Sequence, residues 1–349
     1  MPPALIDPDL RLVFNDPEAS PTPIAAHGDP VFREQAVFES IPGKQGSHAA
    51  TVAAFPDGEL LAAWYSYDGP HELTGAAIYM ARHRPGEPQW GAPWLHVDRP
   101  EGDGNPVLYH EQDRVWLFQA VVPGGWSTSH IEVQVSEDRG GTWSRPRSLV
   151  SPLGANVRYP PVRAADGTLV LPAYDDLVPR SLFFTSSDGR DWALVGMVAT
   201  SPACLQPSVA RLPGGRLLAV MRNSGGGWLW VMASDNHGRS WSPPMDSGFP
   251  NPGSAAVLLQ LASGNLLLVF NDSPTARVPL SAAISADQGV TWPIRRVLAQ
   301  GDGTYSYPVA VQTPDGLVHV LYSLNRDRIQ HLTFNEAWLA APNEAGEGP

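Results

Sequence analysis

The sequence predicts an all-β protein, a six-bladed β-propeller of four-stranded blades, and two repeated features carry that prediction. The first is a tight turn followed by tryptophan, of which Ser285 to Trp292 (Ser-Ala-Asp-Gln-Gly-Val-Thr-Trp) is the clearest copy. The second is a turn, usually with glycine, that leads into an apolar strand. Both features recur about every 50 residues, a period that together with strand content is typical of propeller blades.

The tryptophan turn has a chemical logic that explains its composition. Ser and Asp side chains bond backbone amides inside a tight turn, Gly supplies a positive φ, and Trp anchors the returning strand in the core. One copy is a residue short and another has Asn236 in place of Asp. The four copies end at Trp143, Trp192, Trp241 and Trp292, and Trp90 and Trp338 supply the tryptophans of the first and last units.

The second repeat divides residues 33–340 into six units within one propeller domain. Each unit has a short apolar strand, a turn and a second apolar strand, as in the stretch from Asp57 to Trp64. Residues 1–32, rich in Pro and Asp, predict an extended arm, and residues 341–349 predict a flexible tail. A strand within Val31 to Phe38 is expected to complete the last blade and close the ring. The second turn residues of the six units are Gly58, Arg114, Gly167, Gly215, Gly264 and Gly316.

Composition and charge argue against several classes of protein. The formal net charge of −12 argues against nucleic acid or an anionic membrane as partner. No apolar run is long enough to span a bilayer. Cys204 is the only cysteine, so no intramolecular disulfide can form, and the N-terminus lacks the layout of a signal peptide. We therefore expect a cytoplasmic protein.

Neither a metal nor a cofactor is expected. His48 and His71 lack the short, regular spacing of a zinc site. The glycine clusters at 124–125 and 225–227 are not followed by the helix and Lys-Ser/Thr pair of a phosphate-binding loop.

The tryptophan turn resembles the Asp-box of sialidases, and residues 33–340 resemble the BNR/Asp-box sialidase-like six-bladed propellers. In that family the Asp-box is a structural feature of the blade rim, so it indicates fold and says little about activity. Sialidases hold the substrate carboxylate with three arginines and use a tyrosine nucleophile, a glutamate that activates it and an aspartate as acid and base. The resemblance implies that functional residues lie at the channel, where the first strand of each blade begins.

Three positions match this family pattern. Arg222, seven residues after Gly215, and Arg277, in the fifth unit, are expected to bind a carboxylate through their guanidinium groups. Tyr305, in the Tyr305-Ser306 pair that opens the last unit, is expected to be the nucleophile. A surface arginine or a core tyrosine is the ordinary interpretation of each residue alone, but three matches at separate family positions favour a site.

Other positions depart from the pattern. His48 stands where the family has its first arginine, and Gln206 stands where it has the activating glutamate. Glutamine cannot accept a proton, so the usual activation of the tyrosine is not available there. The acid is expected in the loop after the first hairpin, where either Asp68 or Glu72 can serve.

Further first-strand openings complete the expected channel ring. Arg158, in Arg158-Tyr159-Pro160, can replace the missing third cation, although a salt bridge within its blade is an equal alternative. Asp103, Asp175 and Asp176 are nearby acids for which solvated loop positions are the simpler interpretation. The other expected ring residues are Asn105, Tyr307, Asn251 and Ser254.

Two functional hypotheses follow from these residues. The first is a sialidase-like exo-glycoside hydrolase that removes a terminal, acidic or polyhydroxylated sugar from an oligosaccharide and needs no cofactor. Because Gln206 replaces the glutamate, an inverting route in which His48 activates water is also open. The second is a non-catalytic propeller that binds carbohydrate or protein through the same channel.

Overall fold

The computed structural model describes residues 6–25 and 27–342 and shows a closed ring of six antiparallel blades. The predicted fold class is therefore confirmed. The first strand, β1 (Phe32–Ala36), belongs to the last blade, where Phe32 pairs with Phe334. The N-terminal strand thus closes the ring, as the sequence predicts.

The first three blades differ mainly in how regular their innermost strand is. Blade 1 contains β2 (Gly46–Ala54), β3 (Leu60–Tyr67), β4 (Ala77–His83) and β5 (Trp94–Val97). Blade 2 contains β6 (Asp103–Glu111), β7 (Arg114–Val121), β8 (His130–Ser136) and β9 (Arg147–Ser148). In blade 3 the inner strand is split into β10 (Ala155–Val157) and β11 (Val162–Arg163), which both pair with β12 (Leu169–Asp175). The blade is completed by β13 (Arg180–Ser186) and β14 (Ala193–Val198).

The other three blades repeat the pattern. Blade 4 contains β15 (Cys204–Arg211), β16 (Leu217–Asn223), β17 (Gly227–Ser234) and β18 (Met245–Asn251). Blade 5 contains β19 (Val257–Gln260), β20 (Leu266–Asn271), β21 (Leu280–Ser285) and β22 (Ile294–Ala299). Blade 6 contains β23 (Tyr305–Gln312), β24 (Val318–Leu324) and β25 (Arg328–Phe334), with β1 outermost. A short 3₁₀ helix (Trp126–Thr128) and α1 (Glu336–Ala340) are the helices of the described chain, and neither is long enough to cross a membrane.

The tryptophan turns join the third and fourth strands of their blades and are held by side chains. In the copy from Ser285, the serine hydroxyl accepts the Gly289 N–H (2.9 Å) and donates to Asp287 (2.8 Å), whose carboxylate accepts the Thr291 N–H (2.8 Å). In the Ser234 copy, the Asn236 side-chain oxygen accepts the Ser240 N–H instead (2.8 Å). Asparagine therefore preserves the turn because its amide oxygen replaces the carboxylate.

The described part of the N-terminal arm packs on the outside of blades 4 and 5. Ile6 forms a parallel bridge with Trp241, and the Asn15 N–H donates to the Gly289 carbonyl (2.9 Å). Phe14 is buried against Phe249 and Trp292. Of the tail predicted for residues 341–349, residues 343–349 lie outside the described residues.

Candidate functional site

Four inner strands carry the same backbone irregularity at their channel end. Ala49, Asn105, Gln206 and Tyr307 have φ of 54°, 44°, 53° and 56°, a left-handed conformation that is uncommon for residues other than glycine. At each of them the strand register shifts against the neighbouring strand. Such bulges redirect side chains and are over-represented beside active sites.

The Tyr307 hydroxyl stands at the centre of the resulting cluster. It accepts hydrogen bonds from Arg222 Nη1 (3.1 Å) and Gln206 Nε2 (3.2 Å). The Gln206 side-chain oxygen in turn accepts from Arg222 Nη1 (3.4 Å). Because a guanidinium can only donate, the Gln206 oxygen faces Arg222 and its NH₂ faces the phenol oxygen. The hydroxyl therefore receives two donors.

This environment favours the phenolate form of Tyr307. Burial raises the pKa of the hydroxyl, but the charges of Arg222 and Arg277 and the Gln206 hydrogen bond outweigh it, so the pKa of Tyr307 is lowered from its ordinary value. The two donors to the oxygen have the same effect because they bind an anion more strongly than a neutral phenol. The cluster thus makes the Tyr307 hydroxyl easier to ionise.

Arg277 lies over the ring of Tyr307. Its guanidinium carbon is 5.6 Å from the ring centroid, and its nitrogens donate to the Gly253 carbonyl (3.1 Å) and the Ser306 hydroxyl (3.3 Å). Burial lowers the pKa of Arg277, and the charges on Arg222 and Arg326 act in the same direction. Arg222 and Arg277 therefore concentrate positive charge around one phenol, and both remain partly exposed.

His48 stacks on the ring of Tyr307. The two ring centroids are 4.5 Å apart with an interplanar angle of 25°. Both ring nitrogens are buried, and neither has a hydrogen-bond partner among the described residues. Burial, followed by the charges of Arg326, Arg158 and Arg277, holds the pKa of His48 well below its ordinary value. At neutral pH, His48 is therefore an uncharged ring that offers a donor and an acceptor to a ligand.

Glu72 reaches the cluster and Asp68 does not. The Glu72 carboxylate accepts from Tyr65 OH (3.2 Å) and Trp126 Nε1 (3.1 Å) and pairs with Arg326 Nη1 (3.2 Å). Asp68, about half exposed, pairs instead with Lys44 at 2.5 Å. Of the two acids that the sequence left open, the structure brings Glu72 to the channel mouth and turns Asp68 away.

A second carboxyl group, Asp176, borders Arg222. It follows β12 and accepts a hydrogen bond from Asn156 Nδ2 (3.0 Å). Burial raises the pKa of Asp176 to about 6, although Arg222 opposes the change. Asn105 lies beside this group: its Nδ2 donates to Tyr174 OH (3.0 Å), which also receives Gln206 Nε2 (3.4 Å). The expected channel residue Asn105 thus supports the cluster through Tyr174.

The structure does not place Tyr305 in this cluster, contrary to the expectation that it is the nucleophile. Its hydroxyl donates to the Gln300 carbonyl (2.9 Å), and its ring borders a cavity of about 890 Å³ that is lined by residues of blades 5 and 6. Tyr305 precedes the bulge, whereas the left-handed backbone at Tyr307 turns that side chain into the channel. The tyrosine that lies among Arg222, Arg277 and Gln206 is therefore Tyr307.

Arg158 is also not free to bind a substrate, and its alternative as a salt bridge does not hold either. Its guanidinium is buried and donates to the Ala50 carbonyl from both Nη atoms (3.0 Å each) and to the Tyr307 carbonyl (2.7 Å). The neighbouring Tyr159 OH donates to the Pro308 carbonyl (3.1 Å). Blade 3 thus ties blades 1 and 6 together across the channel, beneath the Tyr307 side chain.

Sequence reasoning placed Tyr307 in the channel ring without its central position, took Asp176 most simply as a solvated loop acid, and missed Arg326 at this mouth. One signal was available for the first of these. Asn105, Gln206 and Tyr307 each immediately precede a proline, which marks equivalent positions in three inner strands. Asp176 and Arg326 lie on turns between second and third strands, for which no such pattern exists. Within the described residues, no group of three or more His, Cys, Asp or Glu side chains is arranged to hold a metal ion.

Comparison with known proteins supports the fold and defines the family. A sialidase of Micromonospora viridifaciens is 26% identical over 380 residues, covering 91% of this chain and 56% of that protein. This chain therefore spans about half the length of that relative. A Hadza microbial sialidase is structurally similar at a TM-score of 0.78 and 20% identity, over 88% of this chain and 69% of that chain.

A Ruminococcus gnavus intramolecular trans-sialidase, solved with oseltamivir carboxylate, gives a TM-score of 0.75 at 14% identity over 86% of this chain and 96% of that chain. At these identities the two solved structures show a shared fold. The family model of the BNR repeat-like domain matches residues 58–320. The chain therefore belongs to the BNR repeat-like family, with a sialidase-like propeller.

Proposed function

We propose that this protein is a sialidase-like exo-glycoside hydrolase that removes a terminal acidic sugar bound at the channel mouth. The observation that carries the proposal is the Tyr307 hydroxyl, which accepts hydrogen bonds from Arg222 and Gln206 and has a lowered pKa. A buried tyrosine with no chemical role has no need of two cations at its oxygen and ring. Strong pKa perturbation by specific partners in a cleft is typical of functional sites.

In the first step, the Tyr307 oxygen forms a bond to the anomeric carbon as the bond from that carbon to the leaving oxygen breaks. For this step Glu72 must hold a proton in place of its ion pair with Arg326, and it gives that proton to the leaving oxygen. In the second step, water attacks the anomeric carbon, the bond to Tyr307 breaks, and the water proton passes to Glu72. The net reaction adds one water to the glycoside, and Tyr307 gives up its proton before the first step and departs in the second step as the same phenolate.

The proposed role of Gln206 differs from that of the family's glutamate, which removes the proton of the tyrosine. It donates to the Tyr307 oxygen while Arg222 holds its own carbonyl oxygen. Gln206 therefore stabilises the anionic nucleophile and later the phenolate leaving group. The inverting route through His48 is less well supported, since a neutral imidazole with a strongly lowered pKa is a weak base.

Arg222 and Arg277 are the proposed ligands of the sugar carboxylate. Both are partly exposed at the mouth, and both adjoin the tyrosine that must meet the anomeric carbon. Asp176 beside Arg222 has a pKa of about 6, so it is mostly ionised at pH 7 and takes up a proton as the pH falls through about 6. Its proposed role is a hydrogen bond to a sugar hydroxyl.

The test is hydrolysis of fluorogenic glycosides, first of N-acetylneuraminic acid and then of uronic acids, by the wild type, Tyr307→Phe and Tyr305→Phe. We expect turnover that disappears in Tyr307→Phe and persists in the matched control Tyr305→Phe. Equal turnover in all three proteins would exclude Tyr307 as nucleophile. Binding of the free sugar acids without hydrolysis of any glycoside would favour the second candidate, a non-catalytic carbohydrate-binding propeller, which Gln206 in place of glutamate also favours.

The acid can be assigned with leaving groups of different basicity. A good aryl leaving group departs without a proton, whereas an alkyl leaving group needs one. Glu72→Gln is expected to retain most activity on aryl glycosides and to lose it on alkyl glycosides, with Asp68→Asn as the control. The opposite pattern, with the selective loss in Asp176→Asn, would move the acid role to Asp176.

A further inference from the structure

We propose that Arg326, on the last hairpin of blade 6, is a third carboxylate-binding cation of the channel mouth and is paired with Glu72 until an acidic sugar arrives. The inference rests on the proposed function and specifies its selectivity. It answers a question raised by His48, which stands at the position of a family arginine and is uncharged.

The backbone of blade 6 sets the position of Arg326. The residue lies between β24 and β25 with φ of 61°, next to Asn325 with φ of 53°. Its carbonyl accepts the Ser47 N–H (2.8 Å) and the Tyr67 hydroxyl (3.0 Å). These two bonds attach the hairpin tip to blade 1 immediately beside His48. They use only the backbone of residue 326, so the side chain remains free for another task.

The guanidinium of Arg326 faces the same space as the other site residues. Its nearest acid is Glu72, at 3.2 Å, and its side chain is 41% exposed, so solvent and ligands reach it. Of the charged neighbours that lower the pKa of His48, Arg326 has the largest effect. It also lowers the pKa of Arg277. The Ser47 contact thus places the hairpin of Arg326 next to His48, and the charge of Arg326 acts on both His48 and Arg277.

The pair with Glu72 can be exchanged at low cost. Ion pairs that are this exposed contribute little to stability because water screens them. When Arg326 leaves, the Glu72 carboxylate keeps hydrogen bonds from Tyr65 and Trp126. A sugar carboxylate near Arg277 would meet a long, partly exposed guanidinium whose present partner remains satisfied without it.

A matched control lies two residues away. Arg328 belongs to the same turn region, is 50% exposed, and pairs with Asp327 at 3.3 Å. Arg328→Ala removes the same charge from the same hairpin without touching Glu72 or the mouth. Arg326→Lys keeps the charge and loses the planar fork that binds a carboxylate through two nitrogens.

The experiment is calorimetric binding of N-acetylneuraminic acid, D-glucuronic acid and their methyl esters to the wild type and variants. Arg326→Ala is expected to weaken binding of the acids about tenfold or more and to leave the esters unchanged, because a lost hydrogen bond to a charged group has an effect of that size. Arg326→Lys is expected to bind the acids more tightly than Arg326→Ala but less tightly than the wild type. Arg328→Ala is expected to bind them as the wild type does.

Removal of Arg326 also exposes Glu72 to the ligand, so repulsion must be separated from lost attraction. The same Arg326→Ala loss is therefore measured in a Glu72→Gln background, where it is expected to persist. If Arg326→Ala did not weaken acid binding in the Glu72→Gln background, the role of Arg326 would be overturned. The same holds if Arg326→Ala and Arg328→Ala bound the acids equally well. Neither outcome would affect the proposed function. If the wild type bound none of the acids and hydrolysed none of their glycosides, both would fall.

Discussion

The channel mouth and the seam between blades 6 and 1 both bury a row of polar side chains. At the seam these side chains hydrogen-bond one another, whereas at the mouth several of their polar atoms have no partner within the described residues. At the seam, Trp90 Nε1 donates to His331 Nδ1 (3.1 Å), and His331 Nε2 lies 3.0 Å from His319 Nδ1. His319 Nε2 contacts the Thr313 hydroxyl (3.0 Å), which donates to Asp315 (2.6 Å).

The direction of this chain is fixed at both of its ends. An indole N–H only donates, and a carboxylate only accepts, so each histidine has one tautomer: Nε2 protonated and Nδ1 accepting. Every nitrogen of His319 and His331 therefore has a partner. Burial lowers the pKa of His319 to about 4 and that of His331 well below its ordinary value, so both are neutral near pH 7.

The mouth instead contains buried polar atoms that have no partner within the described residues. Both nitrogens of His48 and the Arg222 Nε are of this kind. Buried polar groups are normally satisfied, and an exception calls for an explanation such as a ligand. The difference teaches that polarity alone does not mark a site in this ring: the seam uses its polar groups for closure, whereas the mouth leaves the His48 nitrogens and Arg222 Nε without protein partners, as the proposed function requires of groups that meet a ligand.

The largest effect that tests this contrast concerns activity without stability. Tyr307→Phe is expected to reduce turnover by on the order of 10³-fold or more, since loss of a nucleophile removes the covalent route. Its unfolding free energy should change by only about 1 kcal/mol, because the ring keeps its packing and two donors lose one acceptor. Glycoside kinetics and urea unfolding measure the two quantities. A large loss of stability would place Tyr307 with the structural groups of the seam.

The next effect concerns the hydrogen bonds that Arg158 makes directly beneath the mouth. Arg158→Ala removes three hydrogen bonds to the buried carbonyls of Ala50 and Tyr307. We expect it to destabilise the protein by about 3 kcal/mol, because the bonds are charge-assisted and the carbonyls are left unpaired. Tyr159→Phe, which removes one neutral bond, should cost about 1 kcal/mol by the same reasoning. Chemical denaturation that found the two variants equally stable would contradict this account of the layer.

A smaller effect separates the seam from the mouth by pH. Because the folded pKa of His319 lies below the unfolded value of 6.5, the unfolded chain takes up more protons as the pH falls, and stability is lost from about pH 6.5 down to about pH 4. Between pH 7 and pH 5 this loss amounts to about 2 kcal/mol for His319. In urea unfolding, the free energy of unfolding of His319→Gln should fall between pH 7 and pH 5 by that much less than in the wild type. The neighbouring titratable groups Asp315, His83 and Glu87 are present in both proteins. An unchanged pH dependence would show that the seam is not held by neutral histidines.

The fold could be predicted from the sequence because its signals are local. A tight turn built from Ser, Asp, Gly and Trp is visible in four copies, one of them a residue short, and even Asn236 keeps the required oxygen. The turns that precede the second strand of each blade are also visible in the sequence. Counting from these turns assigned Arg222, Gln206 and His48 to the channel.

The remaining residues depend on backbone detail and on tertiary contacts. In a regular strand Tyr305 and Tyr307 would point to the same face, and only the left-handed conformation of Tyr307 separates them. Arg158 was predicted to bind a ligand because the sequence of its own blade does not reveal its hydrogen bonds to carbonyls of blades 1 and 6. Arg326 was missed because contacts with Ser47 and Tyr67 position its hairpin.

The most direct test of the central claim is an ultraviolet pH titration of tyrosinate in the wild type, Tyr307→Phe and Tyr305→Phe. The account predicts one tyrosine that ionises below the ordinary pKa of about 10, with a signal that is absent in Tyr307→Phe and present in Tyr305→Phe. Gln206→Glu should move that ionisation upward, since a carboxylate cannot donate to the phenolate. If all tyrosines ionised at or above the ordinary pKa, or if Tyr307→Phe left the titration unchanged, the mouth would not hold an activated tyrosine and the account would be wrong.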